Sequence, residues 1–398
     1  MKLRINKLAL FTFCLAVAFS SCNEEKASKD VEVIEAQSSL EAVATDLFEQ
    51  IKVIPLEITD LALVTNITHL EVWDDKIFVF QTKTMALGNI LCFSKSGKFL
   101  YKIDHIGQGP EEYTSLYEFF IDKKLNHTII HSDNNRFIHW DMQGKFLYKI
   151  DATDIYSPSQ FLYLNDSTYL AVNNGSFPPE NIGLLYLDAK TMNIRYQSNS
   201  INETYFDDNK ICMYNDRFLY LTFSDSIYDI SDTTNVYAKY FFYHSDSHHE
   251  WKKQKSKKEP YYKGVNIYDK ESVNQMNQRA EAEHESFLRG EYILIIGMSE
   301  NGKYLAFNCI AGNRDDYVLF YDKENKKVYD TKNIDFDGFQ LAECSVFGAD
   351  GSFYCVLPTE ITDEDKAKIK NSSAFSETDK KILLEHKFDD NPVILVLK

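Results

Sequence analysis

Short apolar runs separated by tight polar turns recur from about residue 50 to the end of the chain. The octapeptide GKFLYKID occurs twice, at residues 97–104 and 144–151, and the two copies lie 47 residues apart. Each copy ends a longer strand–turn–strand pattern, ILCFSKSGKFLYKID in the first case and FIHWDMQGKFLYKID in the second. The repeat therefore marks a structural unit that the chain uses more than once.

The same pattern continues beyond the two verbatim copies. Related hairpins read LLYLDAKTMNIRYQS, SIYDISDTTNVYAKY and VLFYDKENKKVYDTK, with turns rich in Gly, Asn, Asp and Lys, as tight hairpins require. Two further apolar strands precede each hairpin, so a unit has four antiparallel strands in roughly 45 residues, which is typical of a β-propeller blade. A β-sandwich would not repeat one four-strand unit with the same turn.

Counting the units predicts an all-β fold, a six-bladed β-propeller. The first strands of the blades are expected near Leu70, Tyr117, Phe161, Ile211, Leu294 and Ala342. The sixth blade lacks an outer strand, whereas the segment IKVIPLEI at 51–58 precedes the first blade and belongs to none. We expect 51–58 to pair with 392–398, close the ring and remove the unpaired edges that invite aggregation.

Blade connectivity predicts two unlike faces. In a four-stranded meander the turns between strands 1 and 2 and between strands 3 and 4 share one face, here called the short-turn face. The loops between strands 2 and 3 and the blade-to-blade connections share the other, here called the elaborated face. All the long segments belong to the elaborated face: 81–89, 107–113, 173–183, 311–317, and two insertions predicted to be helical, about 245–290 and 359–391.

The first residues have the pattern of a secretory signal. A basic segment, 1–7, is followed by an apolar run, 8–19, that is too short to remain in a bilayer as a spanning helix. The sequence FSSC at 19–22 resembles a bacterial lipobox, in which Cys22 becomes the lipid-carrying first residue. These patterns predict a signal peptide at 1–21, a linker at 22–45 and the propeller at 46–398.

The residues after Cys22 bear on localisation. The sequence NEE at 23–25 resembles the surface-export signal of some outer-membrane lipoproteins, which implies an outer-membrane lipoprotein exposed at the cell surface. An anchor facing the periplasm is the alternative. The formal net charge of −17 at pH 7 disfavours nucleic acid as a partner. The expected partners are the lipid bilayer, through Cys22, and an unknown glycan, peptide or envelope protein.

The propeller resembles a family of six-bladed β-propeller lipoproteins of Gram-negative bacteria, related in fold to NHL and TolB-like propellers. The resemblance is carried by GQGPEEY at 107–113 and VIPLE at 53–57. Members mostly have no assigned activity, so the resemblance implies a fold and leaves the ligand open. GQGPEEY lacks the Lys-Ser/Thr and the third Gly of a phosphate loop. We expect it to form a tight turn, with Tyr113 packed between blades.

No motif in the chain specifies catalysis. Neither HExxH, nor GxSxG, nor CxxC occurs, so no cofactor and no metal is predicted. Cys344 and Cys355 flank a turn and are compatible with a disulfide or with two buried thiols. The favoured function is a non-catalytic binding propeller. The alternative is an enzyme acting on glycans or lactones, a hydrolase or a lyase, which a His–carboxylate pair or three convergent carboxylates in the channel would favour.

Candidate contact residues are chosen by position on the elaborated face, without a chemical signature. They are polar or aromatic residues of its loops: Gln108, Glu111, Glu112, Asp133, Asn134, Arg136, Trp251 and Arg314. The insertion is also locally basic and aromatic, and Trp251, Tyr261 or Tyr262 would stack on a sugar. The other interpretation is that this segment is a solvent-exposed loop that binds no ligand.

Overall fold

A computed structural model describes residues 31–82, 88–153, 158, 160–173, 183–197, 210–232, 235–255, 269–339, 341, 345–357 and 361–398. The strands in chain order are β1 (Glu32–Glu35), β2 (Leu40–Val43), β3 (Ile51–Pro55), β4 (His69–Trp73), β5 (Lys76–Thr82), β6 (Gly88–Ser94), β7 (Phe99–Ile103), β8 (Leu116–Asp122), β9 (His127–Ser132), β10 (Arg136–Asp141), β11 (Phe146–Asp151), β12 (Gln160–Asn165), β13 (Thr168–Asn173), β14 (Gly183–Asp188), β15 (Ile194–Gln197), β16 (Lys210–Tyr214), β17 (Arg217–Leu221), β18 (Ser226–Asp229), β19 (Tyr237–Tyr243), β20 (Leu294–Glu300), β21 (Tyr304–Ala311), β22 (Arg314–Asp322), β23 (Lys327–Asp335), β24 (Ser345–Ala349), β25 (Ser352–Val356) and β26 (Val393–Leu397). The helices are α1 (Ala44–Leu47), α2 (Asp246–Lys255), α3 (Lys270–Leu288), α4 (Asp363–Asn371) and α5 (Glu377–Glu385), and Asp133–Asn135 form a 3-10 turn.

The strands form six sheets, which confirms the predicted six-bladed propeller. Blades 1 to 5 are consecutive meanders, β4–β7, β8–β11, β12–β15, β16–β19 and β20–β23, and blade 6 consists of β24, β25, β26 and β3. The inner strands contact one another in the cyclic order β4, β8, β12, β16, β20, β24 and back to β4. Five inner strands begin within one residue of the predicted positions, and the sixth begins at Ser345, whereas Ala342 lies outside the described residues.

The ring closes where the sequence predicted. Strand β3 pairs antiparallel with β26, with Ile54 opposite Ile394 and Val53 opposite Leu395. Lys398 donates its backbone N–H to the carbonyl of Gln50 at 2.9 Å, so the pairing of β3 with β26 extends to Lys398. The start and the end of the propeller thus share one blade.

The segment at 32–43 differs from the prediction, which placed it in a linker. Strand β1 pairs parallel with β19 at the outer edge of blade 4, and β2 pairs parallel with β23 at the outer edge of blade 5. Ile34 is completely buried and Ala36 is 5% exposed, so the segment contributes apolar surface to the core. Two blade edges that would otherwise be open are covered by this N-terminal strap, residues 32–47.

The verbatim repeat is explained by contacts between neighbouring blades. Gly97 and Gly144 occupy the same turn position with φ of +85° and +78°, where a side chain is strained. A Cβ atom at Gly97 would collide with the carbonyl of Pro55 in blade 6, and one at Gly144 would collide with the ring of Tyr101 in blade 1. Each glycine therefore lets its turn lie against the preceding blade.

The aspartates that end the third strands hold the same turns. Asp141 Oδ1 accepts the backbone N–H of Gln143 and of Lys145, each at 2.9 Å. Asp188 and Asp322 accept backbone N–H groups in the equivalent turns of blades 3 and 5. Carboxylates at this position satisfy donors that the tight turn leaves without a backbone partner.

Both insertions are helical, as predicted, and both lie on the elaborated face. Helices α2 and α3 connect blades 4 and 5, and α4 and α5 lie between β25 and β26. Asp269, Thr362 and Ser376 cap α3, α4 and α5 by accepting a backbone N–H of the first turn. Within the described ranges, no helix is both long enough and apolar enough to cross a membrane. Tyr261, Tyr262 and Cys22 lie outside these ranges.

Candidate functional site

The inner strands of all six blades line a central channel. It encloses a cavity of about 320 Å³, and its wall includes one or more residues of every blade, among them His69, Glu118, Phe161, Ile211, Met298 and Phe347. A concave, largely apolar cavity with a few convergent polar groups is the usual form of a small-ligand site.

A histidine held by two carboxylates is the main polar feature of this channel. His69 Nδ1 lies 2.7 Å from Glu118 Oε1, and His69 Nε2 lies 3.6 Å from Glu71 Oε1. The backbone N–H of Phe119 donates to the same Glu118 oxygen at 2.9 Å. The imidazole packs against Phe119 and stacks on Phe347, with ring centroids 5.1 and 6.2 Å away. The carboxylates at the edge of the imidazole and the aromatic rings against its faces therefore hold His69 in one orientation.

The electrostatics of this cluster favour the charged form of the histidine. Burial in the channel by itself lowers the pKa of His69, but the charge of Glu118 and the hydrogen bonds to both carboxylates raise it to about 10. Burial raises the pKa of Glu71, but its hydrogen bond to His69 and the charges of His69 and Lys123 outweigh that effect and lower it. His69 is therefore an imidazolium at neutral pH.

This protonation state argues against general-base catalysis by His69. An imidazolium carries a proton on each ring nitrogen and so has no lone pair with which to accept another. The Cys212 thiol also lines the channel, but burial raises its pKa to about 12, against the lowering charges of Arg217 and Lys323. The described residues contain no group of His, Cys, Asp and Glu that would hold a metal. The channel therefore contains the His–carboxylate pair that the sequence analysis took as favouring an enzyme, with the histidine in its charged form.

Aromatic side chains, several of them buried, contribute part of the remaining wall. Phe120 and Phe161 stack at 5.0 Å across the interface of blades 2 and 3, and Tyr117 beside them is 46% exposed. Gln160 accepts the backbone N–H of Ile211 at 2.9 Å and so connects blade 3 to blade 4. The channel therefore offers apolar faces next to fixed hydrogen-bonding groups.

A second polar cluster fixes the insertion to the elaborated face. Asp225, completely buried, lies 3.1 Å from His248 Nε2 and accepts from Lys252 Nζ at 2.6 Å. The backbone N–H of Ile293 donates to His248 Nδ1 at 3.3 Å, so His248 carries its proton on Nε2 and donates it to Asp225. Burial lowers the pKa of His248 despite this partner. The cluster ties α2 to the loop between β17 and β18.

The predicted contact residues fall into two separate groups. The first group lies around blades 1 and 2. Gln108 and Glu111 are exposed, whereas Glu112 accepts the backbone N–H of Gly109 at 2.7 Å and closes the GQGPEEY turn. In that turn Tyr113 is completely buried, as expected, and donates to the carbonyl of Gly88 at 3.1 Å.

Two other members of this group are also engaged within the protein. Asp133 accepts the hydroxyl of Ser132 at 2.6 Å and the backbone N–H of Thr114 at 3.3 Å. Arg136 pairs with Asp151 at 3.0 Å. Asn134 belongs to the 3-10 turn, and its side chain lies outside what the structure describes.

The second group lies between blades 4 and 5, across the ring from the first. Trp251 stacks on Tyr292 with ring centroids 3.7 Å apart and planes 5° from parallel. Arg314 forms a bidentate pair with Asp330 at 2.9 and 3.1 Å and lies over the ring of Tyr317. The structure thus does not bring the eight predicted residues into one site, and their role in ligand contact stays a prediction.

The sequence reasoning missed the channel residues His69, Glu71 and Glu118. A signal for them does exist in the strands HLEVW and LYEFF, where polar residues interrupt inner strands that are otherwise apolar. A charged residue in an innermost strand is costly to bury unless it faces a cavity or a partner.

The fold and channel define this protein as a six-bladed β-propeller with an amphipathic central cavity. Residues 29–398 match the sequence profile of DUF4934, described as a domain of unknown function, and the protein belongs to that family. No curated protein matches this chain.

Comparison with solved structures shows the same fold. A protein of Bacteroides fragilis NCTC 9343 that carries the provisional name of an exported protein is 18% identical, with a TM-score of 0.65, and the alignment covers 92% of this chain and 99% of that one. PorZ, described as an essential surface component of the type-IX secretion system of Porphyromonas gingivalis, is 13% identical, with 77% and 33% coverage and a TM-score of 0.36.

Proposed function

We propose that this protein is an envelope-anchored, non-catalytic binding propeller that holds its ligand in the central channel. The observation that carries the proposal is the cavity in which His69, Glu71 and Glu118 are fixed beside aromatic walls. These groups are set for hydrogen bonding, and the protonated imidazole of His69 cannot itself act as a general base, which leaves the carboxylates of Glu71 and Glu118 as the candidates for that role. An enzyme acting on glycans or lactones, a hydrolase or a lyase, stays the alternative, because His69 and Glu118 form a His–carboxylate pair in the channel.

The anchoring part of the proposal comes from the sequence before the propeller. The lipobox-like FSSC supports lipidation of Cys22, which lies shortly before the region that matches DUF4934, residues 29–398. Acyl chains on one cysteine contribute about 0.8 kcal/mol per buried methylene group, enough for stable anchoring. We propose the outer membrane with exposure at the cell surface, and relationship to NHL and TolB-like propellers, with a periplasm-facing anchor as the alternative.

The charge balance of the channel favours a neutral ligand. Three basic side chains (His69, Lys123, Lys210) and three acidic ones (Glu71, Glu118, Glu300) line it. A site without net charge selects hydrogen-bonding capacity more than ionic character, and aromatic rings suit the apolar faces of sugar rings. We therefore propose a short glycan segment as the ligand, ahead of a peptide or an envelope protein.

A binding screen with channel variants tests this function. The mature chain is titrated calorimetrically with a set of neutral oligosaccharides and with an unbiased peptide pool. We expect a glycan to bind and Glu118→Gln or Glu71→Gln to weaken it at least tenfold, with Glu324→Gln, exposed on the short-turn face, as the matched control. Binding that none of the channel variants alters, binding of peptides alone, or glycan cleavage during the titration would overturn the proposal.

A further inference from the structure

A buried group of ionisable side chains holds helix α2 against the ring of blades. His248 and Asp225 are completely buried, and Lys252 is 8% exposed. One oxygen of Asp225 lies 3.1 Å from His248 Nε2, and the other accepts from Lys252 Nζ at 2.6 Å. A single carboxylate therefore binds a histidine and a lysine of the same helix.

The hydrogen bonds of His248 require a neutral ring. The backbone N–H of Ile293, just before β20, donates to His248 Nδ1 at 3.3 Å, so this nitrogen is an acceptor and carries no hydrogen. A second proton on the ring would have to be placed on Nδ1, opposite the N–H of Ile293. Protonation would thus replace a hydrogen bond by two donors that face each other.

The charge balance around His248 also favours the neutral ring. Asp225 and Lys252 already form a neutral pair, so a protonated His248 would add an uncompensated positive charge in a buried site. Burial lowers the pKa of His248, and the charges of Lys252 and His249 act in the same direction, against the raising effect of Asp225. Burial and the charge of His248 likewise lower the pKa of His244 to about 4.

Groups from several elements of blades 4 and 5 surround this histidine. Arg314 is paired with Asp330 at 2.9 Å, and the Cys309 thiol is neutral because burial raises its pKa. Three charged side chains of α2 are exposed, namely Asp246, Glu250 and Lys253. The titratable and charged groups that act on His248 or on its neighbours are Asp225, His244, His249, Lys252, Arg314 and Asp330. Of these, Asp225 is the carboxylate that contacts His248, and it is already shared with Lys252.

Other contacts of α2 do not depend on pH in the same range. Trp251 stacks on Tyr292 with ring centroids 3.7 Å apart, and Lys252 Nζ lies 5.0 Å from the ring centre of Phe223. Docking of α2 therefore combines aromatic stacking with a polar contact that tolerates only a neutral histidine.

We propose that α2 is a pH-sensitive contact, docked on the elaborated face at neutral pH and released when His248 takes up a proton from solvent at Nδ1. In released α2 this nitrogen is hydrated and has the ordinary proton affinity of a histidine. Each pH unit below about 6.5 then favours the released state by up to about tenfold. Release of α2 requires neither a ligand in the channel nor a lipid anchor.

Hydrogen exchange of the full chain between pH 7 and pH 5 measures this release. Exchange rates are divided by the intrinsic rate at each pH, which gives the opening constant of α2, and the amides of β21 in blade 5 serve as the internal reference. We expect the opening constant of α2 to rise at least tenfold from pH 7 to pH 5 relative to that of β21. An unchanged ratio over this range would overturn the proposal.

His248→Gln separates titration of this residue from a general effect of acid. The glutamine amide supplies one acceptor and two donors but does not titrate, so the rise between pH 7 and pH 5 should be lost. His284→Gln, at an exposed position of α3 in the same insertion, should keep the full rise. A rise in His248→Gln as large as in the native protein would assign the acid response to another group and overturn the proposal.

Lys252→Met tests the same contact when the glutamine does not dock α2 at pH 7. Without the lysine, Asp225 is free to balance a protonated His248, so the rise in the opening constant between pH 7 and pH 5 should become smaller, whatever the opening constant at pH 7. Lys253→Met, in the exposed pair with Glu250, should leave the rise unchanged. A rise in Lys252→Met equal to or larger than that of the native protein would contradict the proposed role of His248.

Discussion

At the scale of single residues, the repeat is the consequence of one turn being used in neighbouring blades. Gly97 and Gly144 have positive φ and no room for a side chain, and an aspartate or a serine before each turn accepts its backbone N–H groups. The same requirements, no side chain at the glycine and an acceptor for the turn N–H groups, account for similar residues in both turns. Sequence repetition is thus a direct record of packing between blades.

Gly144→Ala should destabilise the protein more than Gly338→Ala. Both glycines have positive φ, but only Gly144 has a neighbouring ring, that of Tyr101, in the position of the new methyl group. The strained backbone alone costs on the order of 1 kcal/mol, and the collision with Tyr101 adds to it. Urea unfolding of both variants measures the difference, and equal losses would contradict the role of the Tyr101 contact.

Glu118→Gln should lower the pKa of His69 by more than one unit. The carboxylate of Glu118 supplies the nearest negative charge and a 2.7 Å hydrogen bond, which together oppose the effect of burial. NMR titration of the His69 ring protons follows this change, with Glu324→Gln as the control. A His69 pKa that stays near 10 in Glu118→Gln would show that Glu71 alone sustains the imidazolium.

At this scale the sequence permits prediction of turns more readily than of the site. A glycine or an aspartate in a hairpin turn has a local explanation, so its position follows from nearby residues alone. His69 and Glu118 belong to different blades, and their contact depends on how two inner strands face each other across the ring. Position in a loop does not report such contacts, and several of the eight predicted loop residues have partners within the protein.

At the scale of the elements, the closing strand has the sequence of a buried strand and the N-terminal strap does not. In β3 two adjacent residues, Val53 and Ile54, are buried, and the strand resembles the missing member of blade 6. Strand β1 buries one residue of four, and β2 buries none completely. A short edge strand with so little apolar pattern is indistinguishable from a linker in sequence, which is why the strap was not predicted.

Ile54→Ala should weaken the packing of β3 in blade 6, the strand that closes the ring. Ile54 is 3% exposed and belongs to the core that blades 1 and 6 share, so truncation leaves a cavity and costs about 2–5 kcal/mol. Lys52→Ala, an exposed position in the same strand, is the matched control and should change little. Thermal and urea unfolding compare the variants. Equal effects at the two positions would contradict a packed closing strand.

Asp225→Asn should release α2 from the elaborated face. The change keeps the shape of the side chain but leaves the buried Lys252 ammonium without its anion, which costs about 3–5 kcal/mol. Hydrogen exchange of the α2 amides reports the local loss of protection. Glu250→Gln, in the exposed pair with Lys253, should cost about 0.5 kcal/mol or less. Unchanged α2 protection in Asp225→Asn would show that Trp251 stacking suffices for docking.

At the scale of the whole molecule, buried histidines of two kinds set the response to pH. Burial lowers the pKa of His131 to about 4, and burial followed by the charge of His127 lowers that of His139 to about 3. His69 instead has a pKa of about 10. A fall in pH therefore destabilises the folded protein through His131 and His139, and a rise in pH destabilises it through His69.

Stability should be greatest near pH 6.5 and fall on both sides. Below that pH the His131 ring is protonated in the unfolded chain but stays neutral in the folded protein. This difference lowers the free energy of unfolding by roughly 3 kcal/mol at pH 4. Above it the stabilisation from His69 is lost progressively as pH rises toward 10. Urea midpoints between pH 4.5 and 9 test this profile.

His131→Phe should flatten the acid side of that profile. Among the described residues, neither ring nitrogen of His131 has a hydrogen-bond partner, and the ring packs against Phe137 and Phe161, so phenylalanine fits the same environment. An unchanged loss of stability between pH 6.5 and 4.5 would assign the acid response to other groups. His105→Phe, at an exposed position, serves as the control.

The pairing of β3 with β26 also determines when the ring can be completed during folding. Strand β3 leaves the ribosome early, but its partner β26 contains the last strand residues of the chain. Local meanders such as blades 1 to 5 need only neighbouring residues, whereas blade 6 must wait for nearly the whole polypeptide, and pairing over such a separation is slow. Until β26 has been made, β3 lacks its partner strand, so closure of the ring follows formation of the local meanders of blades 1 to 5.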